Sequence, residues 1–451
     1  RNHRINSEGG SIPDEWIVEY VVDRVDTLGT VWMGLTLGCA RCHDHKYDPV
    51  SQRGYYKLFA YFNNVAEWGL GPNNGNSPPL IKVPDDWPLL TKTKDVKIEP
   101  APYELVTSQV SVVRPKPGGK ETVMVMAELP EPRPTYLLRR GQYNLPDKSE
   151  TLTPGLPDSL NVSKATPTNR KELAEWLISP ENPLTARVIV NRHWQHFFGT
   201  GLVKTSENFG VQGEPPSHPE LLDWLAVEFV RSGWDVKYLH RMIVNSSTYQ
   251  QSSRKRNELN QIDANNRLLA YQNRLRVSAE IVRDLGLASS GLLDARVHGP
   301  SVYPPLPPGV IELAFVDVIN RGPWKASTGG DRYRRGIYTF FQRTSPYPML
   351  SLFDSPDSNV TCTRREQSNT PLQALAIWND PVFIQCAAHL ANRLLKSTAE
   401  TEKEKVTLAF KICFSRQPRQ AEVDVLLNLL NQSKTIFKSR PQLAENAIRG
   451  I

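Results

Sequence analysis

Cys39-Ala40-Arg41-Cys42-His43 is the stretch whose residue types and spacing carry the most chemistry in this chain. Two thiols at this spacing can add to the vinyl groups of one porphyrin while the adjacent imidazole reaches its iron. A single turn then supplies both tethers and an axial ligand, and the spacing predicts one haem c held by Cys39, Cys42 and His43. The same residues admit other chemistry. Cys39, Cys42, His43 and His45 make up most of a tetrahedral zinc site, although no second C-x-x-C or H-x3-H half follows. A redox disulfide is a further option, but that motif opens a helix after a strand, and the residues before Cys39 look helical.

The flanks set what must position the motif. Residues 31–38 are apolar with small Gly34 and Gly38, and residues 44–49 form a polar exit closed by Pro49. Upstream, residues 11–28 read as a helix: Ser11 can cap, Pro13, Asp14 and Glu15 suit the first turn, and Ile17, Tyr20, Val21, Val25 and Leu28 share a face. Downstream, Tyr55, Tyr56, Leu58, Phe59 and Phe62 mark an aromatic-rich helix, equally a porphyrin wall or an ordinary core element. Trp32 and these aromatics would exclude water, while Arg41 or Lys46 could meet the propionates.

The rest of the chain divides by texture. Residues 66–165 are rich in Pro, Gly and Asn, with short alternating runs at 105–113, 122–128 and 135–140, which read as a β-strand-containing linker module. From residue 166 to 451 helical signals return: Asn169 with Glu172, a long amphipathic run at 185–198 stopped by Gly199, Ser217 with Glu220, Asp235, and then runs near 277–292, 371–378, 381–396, 406–414 and 419–430. Residues 336–343 look strand-like. The expected architecture is mainly α, with a small β-rich insertion between two helical regions, the first helical region being 1–65.

Two further polar sets bear on function. A haem with one histidine bound leaves a sixth position, for which His193 and His196 on one side of a helix, His218 at a helix start and Met349 are candidates. Packed or capping roles are the ordinary alternative for each histidine. Residues 362–366 with Asn369, Thr370 and Asn379-Asp380 form a polar loop before two helix starts, where arginines and backbone N–H groups could meet an anion.

Composition excludes several classes. The chain has 451 residues, 39% hydrophobic and 22% charged, with a net charge of +7. That excess is thin over this length, so the expectation is a solvated basic face and no nucleic acid. No apolar run reaches the length of a transmembrane helix. The chain starts at Arg1 without an initiator Met or a signal-peptide pattern, which suggests a piece of a longer polypeptide. Cys362, Cys386 and Cys413 are expected to be buried free thiols, with one disulfide as the alternative if the protein is exported.

Taken together, these residues resemble the large planctomycete and verrucomicrobial cytochrome c-like proteins built from domains of unknown function 1549 and 1553. Residues 23–25, 34–49 and Tyr55-Tyr56 resemble the end of the first domain. Asn191-Arg192, Trp194-Gln195, Phe198-Gly199, Gly201 to Val203, Asn208-Phe209-Gly210 and 217–222 resemble the start of the second. Its later signature is matched by Arg343, Phe353-Asp354, Arg364-Arg365, 369–375 and 379–381. The resemblance implies an exported protein with a covalent haem, often preceded by another cytochrome-like domain; that domain and the front of the first one would be missing from this chain. It leaves the reaction open.

The expectation is thus an extracytoplasmic electron-transfer protein working with a redox partner protein or an upstream cytochrome domain of the same polypeptide. Two other classes compete. If the sixth position is open, a haem-dependent oxidoreductase or peroxidase-like enzyme follows, with His45 or Tyr47 as acid–base groups. A polysaccharide-binding or processing protein with a structural metal at the Cys/His motif is the third.

Overall fold

The computed structural model describes residues 6, 9–71, 76–82, 105–106, 122–160, 166–259, 261–307, 309–310, 324–342 and 345–448. It is mainly α, as expected, with thirteen α-helices and two small antiparallel sheets among those residues. Two compact units divide the chain, 1–274 and 275–451. The boundaries expected at 65/66 and 165/166 both fall inside the first unit.

In the first unit, α1 (Pro13–Thr27) starts with Pro13 in its first turn and Asp14 and Glu15 at its positive end. Ser11 does not cap it; the cap position is Ile12, and the Ser11 hydroxyl accepts from Asn6 instead. The helix runs directly into a π-helical turn, Leu28–Met33, which ends at Gly34 with φ +61°. A Cβ at Gly34 would lie 2.8 Å from the Phe209 ring and 2.9 Å from Val188, so the left-handed, close-packed position requires glycine. A short 3₁₀ turn, Leu37–Arg41, carries the motif, and α2 (Gln52–Ala60) follows, capped by the Ser51 hydroxyl.

The β content matches the expected module in part. Strand β1 (Leu80–Lys82) lies between β2 (Leu105–Val106) and β3 (Thr122–Met124), and β4 (Thr135–Leu138) pairs with β5 (Pro146–Leu152) as a hairpin. Most of the run at 105–113 lies outside the described residues. Strand β5 has the sequence PDKSETL and mostly exposed side chains, so no apolar alternation marks it. It exists because β4 offers it a ladder.

Helices α3 (Arg170–Leu177), α4 (Thr185–Phe198), α5 (Pro219–Arg231) and α6 (Val236–Asn245) complete the unit. Asn169 and Asp235 cap as expected, whereas α5 starts at His218 with Pro219 next and no side-chain cap from Ser217. One core gathers α1, α2, the hairpin and α3 around Val25, Met33, Leu37, Tyr55, Leu58 and Trp176. A second gathers α4 to α6 around Val190, Phe198, Leu225 and Leu239.

Several family-signature residues are architectural. Asn191, fully buried, donates to Val203 O at 2.9 Å and accepts from Val203 N at 2.8 Å, pinning both backbone groups of one residue. Arg192 reaches back to the π turn, donating to Thr30 O at 2.5 Å and to Val31 O. Asp48 accepts from Val211 N at 2.7 Å, and a Cβ on Gly210 would come within 2.4 Å of the same carboxylate.

The second unit contains α7 (Ala279–Ser290), α8 (Pro348–Leu352), α9 (Pro371–Asn379), α10 (Pro381–Leu395), α11 (Glu402–Phe414), α12 (Gln420–Ser439) and α13 (Pro441–Ile448). Its core is formed by Tyr347, Met349, Leu350 and Phe353, with Leu287 and Val382 adjoining Cys386 in a smaller cluster. The strand-like segment at 336–343 is instead a 3₁₀ turn at Gly336–Tyr338, with only an isolated bridge between Val302 and Thr339; Arg343 lies outside the described residues. Gly336 sits against the Glu280 backbone of α7, where a Cβ would meet it at 2.4 Å, so this turn packs on a helix and not on a strand. Of the three downstream cysteines only Cys386 is buried; Cys362 and Cys413 are exposed free thiols, because they lie on a polar loop and on the outer face of α11.

Asn191→Ala leaves the buried N–H and C=O of Val203 without partners, so a loss of about 2–4 kcal/mol is expected in urea unfolding of the first unit. Gly210→Ala should destabilise it too, because the Asp48 carboxylate must give way.

Candidate functional site

The 3₁₀ turn and the two residues after it expose Cys39, Cys42 and His43 at the surface, with both thiols free. His43 Nδ1 is 2.6 Å from the carbonyl of Asp44. A ring nitrogen that close to a carbonyl carries the proton and donates, which leaves the Nε2 lone pair for a metal.

Three elements hold this turn. Its Arg41 carbonyl accepts from Tyr56 Oη at 3.0 Å and from Gln52 Nε2 at 3.0 Å, both on α2. The Arg41 side chain forms an ion pair with Glu19 of α1 and donates to the carbonyl of Gly141, beyond β4, at 3.1 and 3.2 Å. Gly141 has φ +69°, and a Cβ there would lie 2.9 Å from Cys42 Sγ, so glycine is required where the hairpin meets the motif. On the exit side Asp44 accepts from Gln52 N at 2.7 Å, and His45 Nδ1 accepts from Asp48 N at 2.8 Å.

Beneath the turn, Asp26 places its carboxylate against Gly38, and burial pushes its pKa up to about 6, with Asp23 and Glu19 adding to the rise and Arg41 opposing it. Tyr55 is fully buried beside it and its phenol is pushed well above the usual range by desolvation, then by Asp26.

These positions revise several expectations. Arg41 does not face outward toward a propionate; Glu19 and Gly141 engage its guanidinium. Lys46 remains exposed, 5.2 Å over the Tyr47 ring. Tyr55, Tyr56, Leu58, Phe59 and Phe62 are core residues, because the apolar face of α2 packs on α1, the hairpin and the underside of the motif turn, which Tyr56 meets through its hydroxyl. Trp32 is 42% exposed. The His45 side chain is nearly buried, with Nδ1 taken by backbone N–H groups, while Tyr47 is open to solvent. Among the described residues no three His, Cys, Asp or Glu side chains converge on one point that could hold a metal ion, Cys39, Cys42, His43 and His45 included.

The sixth-ligand candidates are dispersed. His193 Nδ1 lies 3.0 Å from His240 Nε2, and burial, with His240 and His196 nearby, lowers its pKa. His196 is exposed one turn along α4, and His218 Nδ1 meets the Ser217 hydroxyl at 3.0 Å. Met349 is a core residue of the second unit, because it is enclosed by its neighbours Tyr347, Leu350 and Phe353. The polar groups of 362–380 are engaged by protein partners: Arg365 pairs with Glu280 of α7 at 2.7 Å, Thr370 and Gln373 form a capping box on α9, and Asp380 caps α10. Those helix starts already hold their own side chains.

Sequence reasoning missed Glu19, Asp26 and Gly141. Asp26 carried no signal beyond an acidic residue near the end of an amphipathic helix; Gly141 was visible only as a turn former.

The donor set, two accessible thiols and an imidazole with Nε2 free on one clamped turn, fits covalent attachment of a porphyrin. Fold and motif together define a mainly helical protein with a surface C-x-x-C-H turn. The chain belongs to the PSD1 family, proteins of unknown function with domain DUF1553, whose model matches residues 169–430. Residues 1–67 match PSCyt2, a second domain of unknown function, DUF1549. No curated protein and no solved structure matches it.

Asp26 binds a proton more tightly folded than unfolded, so its share of stability is greatest below its ordinary value of 3.8, falls as pH rises to about 6, and stays low above that. Asp26→Asn should remove this fall and gain about 2 kcal/mol over the native chain at pH 7 in paired urea titrations, with no gain at pH 3.5.

Proposed function

We propose that this chain is an extracytoplasmic c-type cytochrome-like protein, carrying one covalent haem on Cys39 and Cys42 with His43 on the iron, and passing single electrons to a redox partner. The partner is another protein or a cytochrome domain of the same polypeptide. The observation that carries the reading is the His43 ring: its Nδ1 is turned onto the Asp44 carbonyl, which leaves Nε2 free, and the two thiols of the same motif are free and exposed. Haem, when bound, supplies a one-electron couple.

The chain's own residues do the remaining work. Gln52 and Tyr56 hold the backbone between the two thiols at the Arg41 carbonyl, and Gly141 holds the Arg41 side chain, so the segment that carries Cys39 and Cys42 is braced from two sides. Asp44 orients the imidazole and keeps it in the tautomer that ligates. Exposure of the three side chains lets a partner approach the group they hold. The family descriptor PSCyt2 is consistent with this reading, and installation of covalent haem outside the cytoplasm supports the proposed location. No helix among the described residues is long and apolar enough to cross a membrane.

The test is a pyridine haemochrome spectrum of denatured protein, freed of loose haem, after expression with and without the covalent attachment machinery. A c-type band that needs the machinery is expected. Cys39→Ala or Cys42→Ala should shift the band toward that of a single thioether, the double variant should lose it, and His43→Ala should alter the spin state of the native protein. No band, with zinc recovered by elemental analysis, would replace this reading with a structural metal site.

A further inference from the structure

Two buried polar atoms beneath the motif turn have no hydrogen-bond partner. One is Asp26 Oδ1, near the end of α1; the other is Tyr55 Oη on α2, a side chain with no exposed surface. Both belong to one small cluster. Asp26 Oδ2 lies 3.5 Å from where a Gly38 Cβ would stand, so the carboxylate touches the residue immediately before Cys39. The charges that face it are Asp23 and Glu19 from α1 and Arg41 from the turn, while Tyr55 and Tyr56 from α2 bring only phenols.

Charge balance in the cluster is unfavourable to an ionised Asp26. Arg41 is the one cation, and Glu19 binds it directly through both guanidinium nitrogens. Asp26 is therefore a partly buried carboxyl without a dedicated counter-ion and with one oxygen lacking a donor. Such a group responds strongly to any further change of charge nearby.

We propose that Asp26 is a proton-binding site linked to the oxidation state of the group held by Cys39 and Cys42: it takes up a proton from solvent when that group gains an electron and releases it on oxidation. The inference rests on the haem reading above. A one-electron donor, either a redox protein or an artificial reductant, supplies the electron; solvent supplies the proton; no covalent bond of the protein forms or breaks. The added negative charge disfavours a neighbouring carboxylate, so its proton affinity rises on reduction. Burial already places Asp26 near pH 6, so the exchange falls in a physiological window. Tyr55 Oη, the other unsatisfied group, shares the low-dielectric space and makes the coupling stronger than it would be in water.

The test uses the haem-loaded full chain, with covalent haem counted first and the midpoint potential then titrated from pH 5 to 8. The native potential should fall as pH rises through this window, each tenfold difference in proton affinity between the two oxidation states adding 59 mV to the drop. Asp26→Asn should be flat and sit above the native value at pH 8, since a carboxylate has been removed; Asp26→Glu should restore a slope. Tyr55→Phe should keep the slope with its midpoint displaced. Independently of any variant, reduction of native protein in weak buffer at pH 6 should take up protons, read with an indicator dye. Attached haem with an equal slope in the native protein and Asp26→Asn, or with no proton uptake by the native protein, would overturn the coupling and leave haem attachment standing. Absence of covalent haem would overturn both, and the haem count tells the two failures apart.

Discussion

The first unit depends on how the carbonyls of a π-helical turn are satisfied. Leu28–Met33 is wound too widely to complete an α-helical ladder, and the guanidinium of Arg192 reaches Thr30 O and Val31 O from 162 and 161 residues away in sequence. That contact joins α1 to α4, and so joins the part of the chain that matches one domain family to the part that matches the other. Phe209 N donating to Gly34 O at 2.7 Å and Val211 N to Asp48 secure the same seam. The C-x-x-C-H turn lies between these two anchor points, at Gly34 and Asp48. Its position is thus set by residues of both families, although its chemistry belongs to one.

This arrangement explains why so much of the second family's signature is structural. Asn191 fixes Val203, Arg192 serves the π turn, and Gly210 allows a backbone to rest on a carboxylate. In the second unit Asp354 accepts from Ser368, Gln373 donates to Leu352 O, and Asp380 caps α10 while accepting from Tyr347. Polar residues that look like a binding loop in one dimension are consumed as caps and cross-links in three.

The motif itself is the reverse case. A surface turn of two thiols and an imidazole has few packing obligations of its own, yet Gln52 and Tyr56 fix its backbone at Arg41 O, while Glu19 and Gly141 fix the Arg41 side chain. Rigid support under exposed, unpaired reactive groups is the pattern expected where a chain must present chemistry to something else. Beneath it, Asp26 and Tyr55 each leave a buried polar atom without a hydrogen-bond partner.

The local elements were legible in the sequence because they rest on local physics. Apolar periodicity marks α1, α4 and α5, Asn169 and Asp235 mark helix starts, and Gly199 marks a helix end. The motif and its two family affiliations were legible for the same reason, since spacing within a turn is a sequence property. Tertiary structure alone decided what surrounds them. Gly141 meets Cys42 through a hairpin whose second strand has no apolar alternation, and Arg41 turns inward because Glu19 stands opposite it. The aromatic face of α2 turns to the core because α1 and β4 offer it apolar area, and Asp26 comes under Gly38 because a π turn redirects the chain. Each of these depends on which distant surface is near, and no periodicity within one segment encodes that.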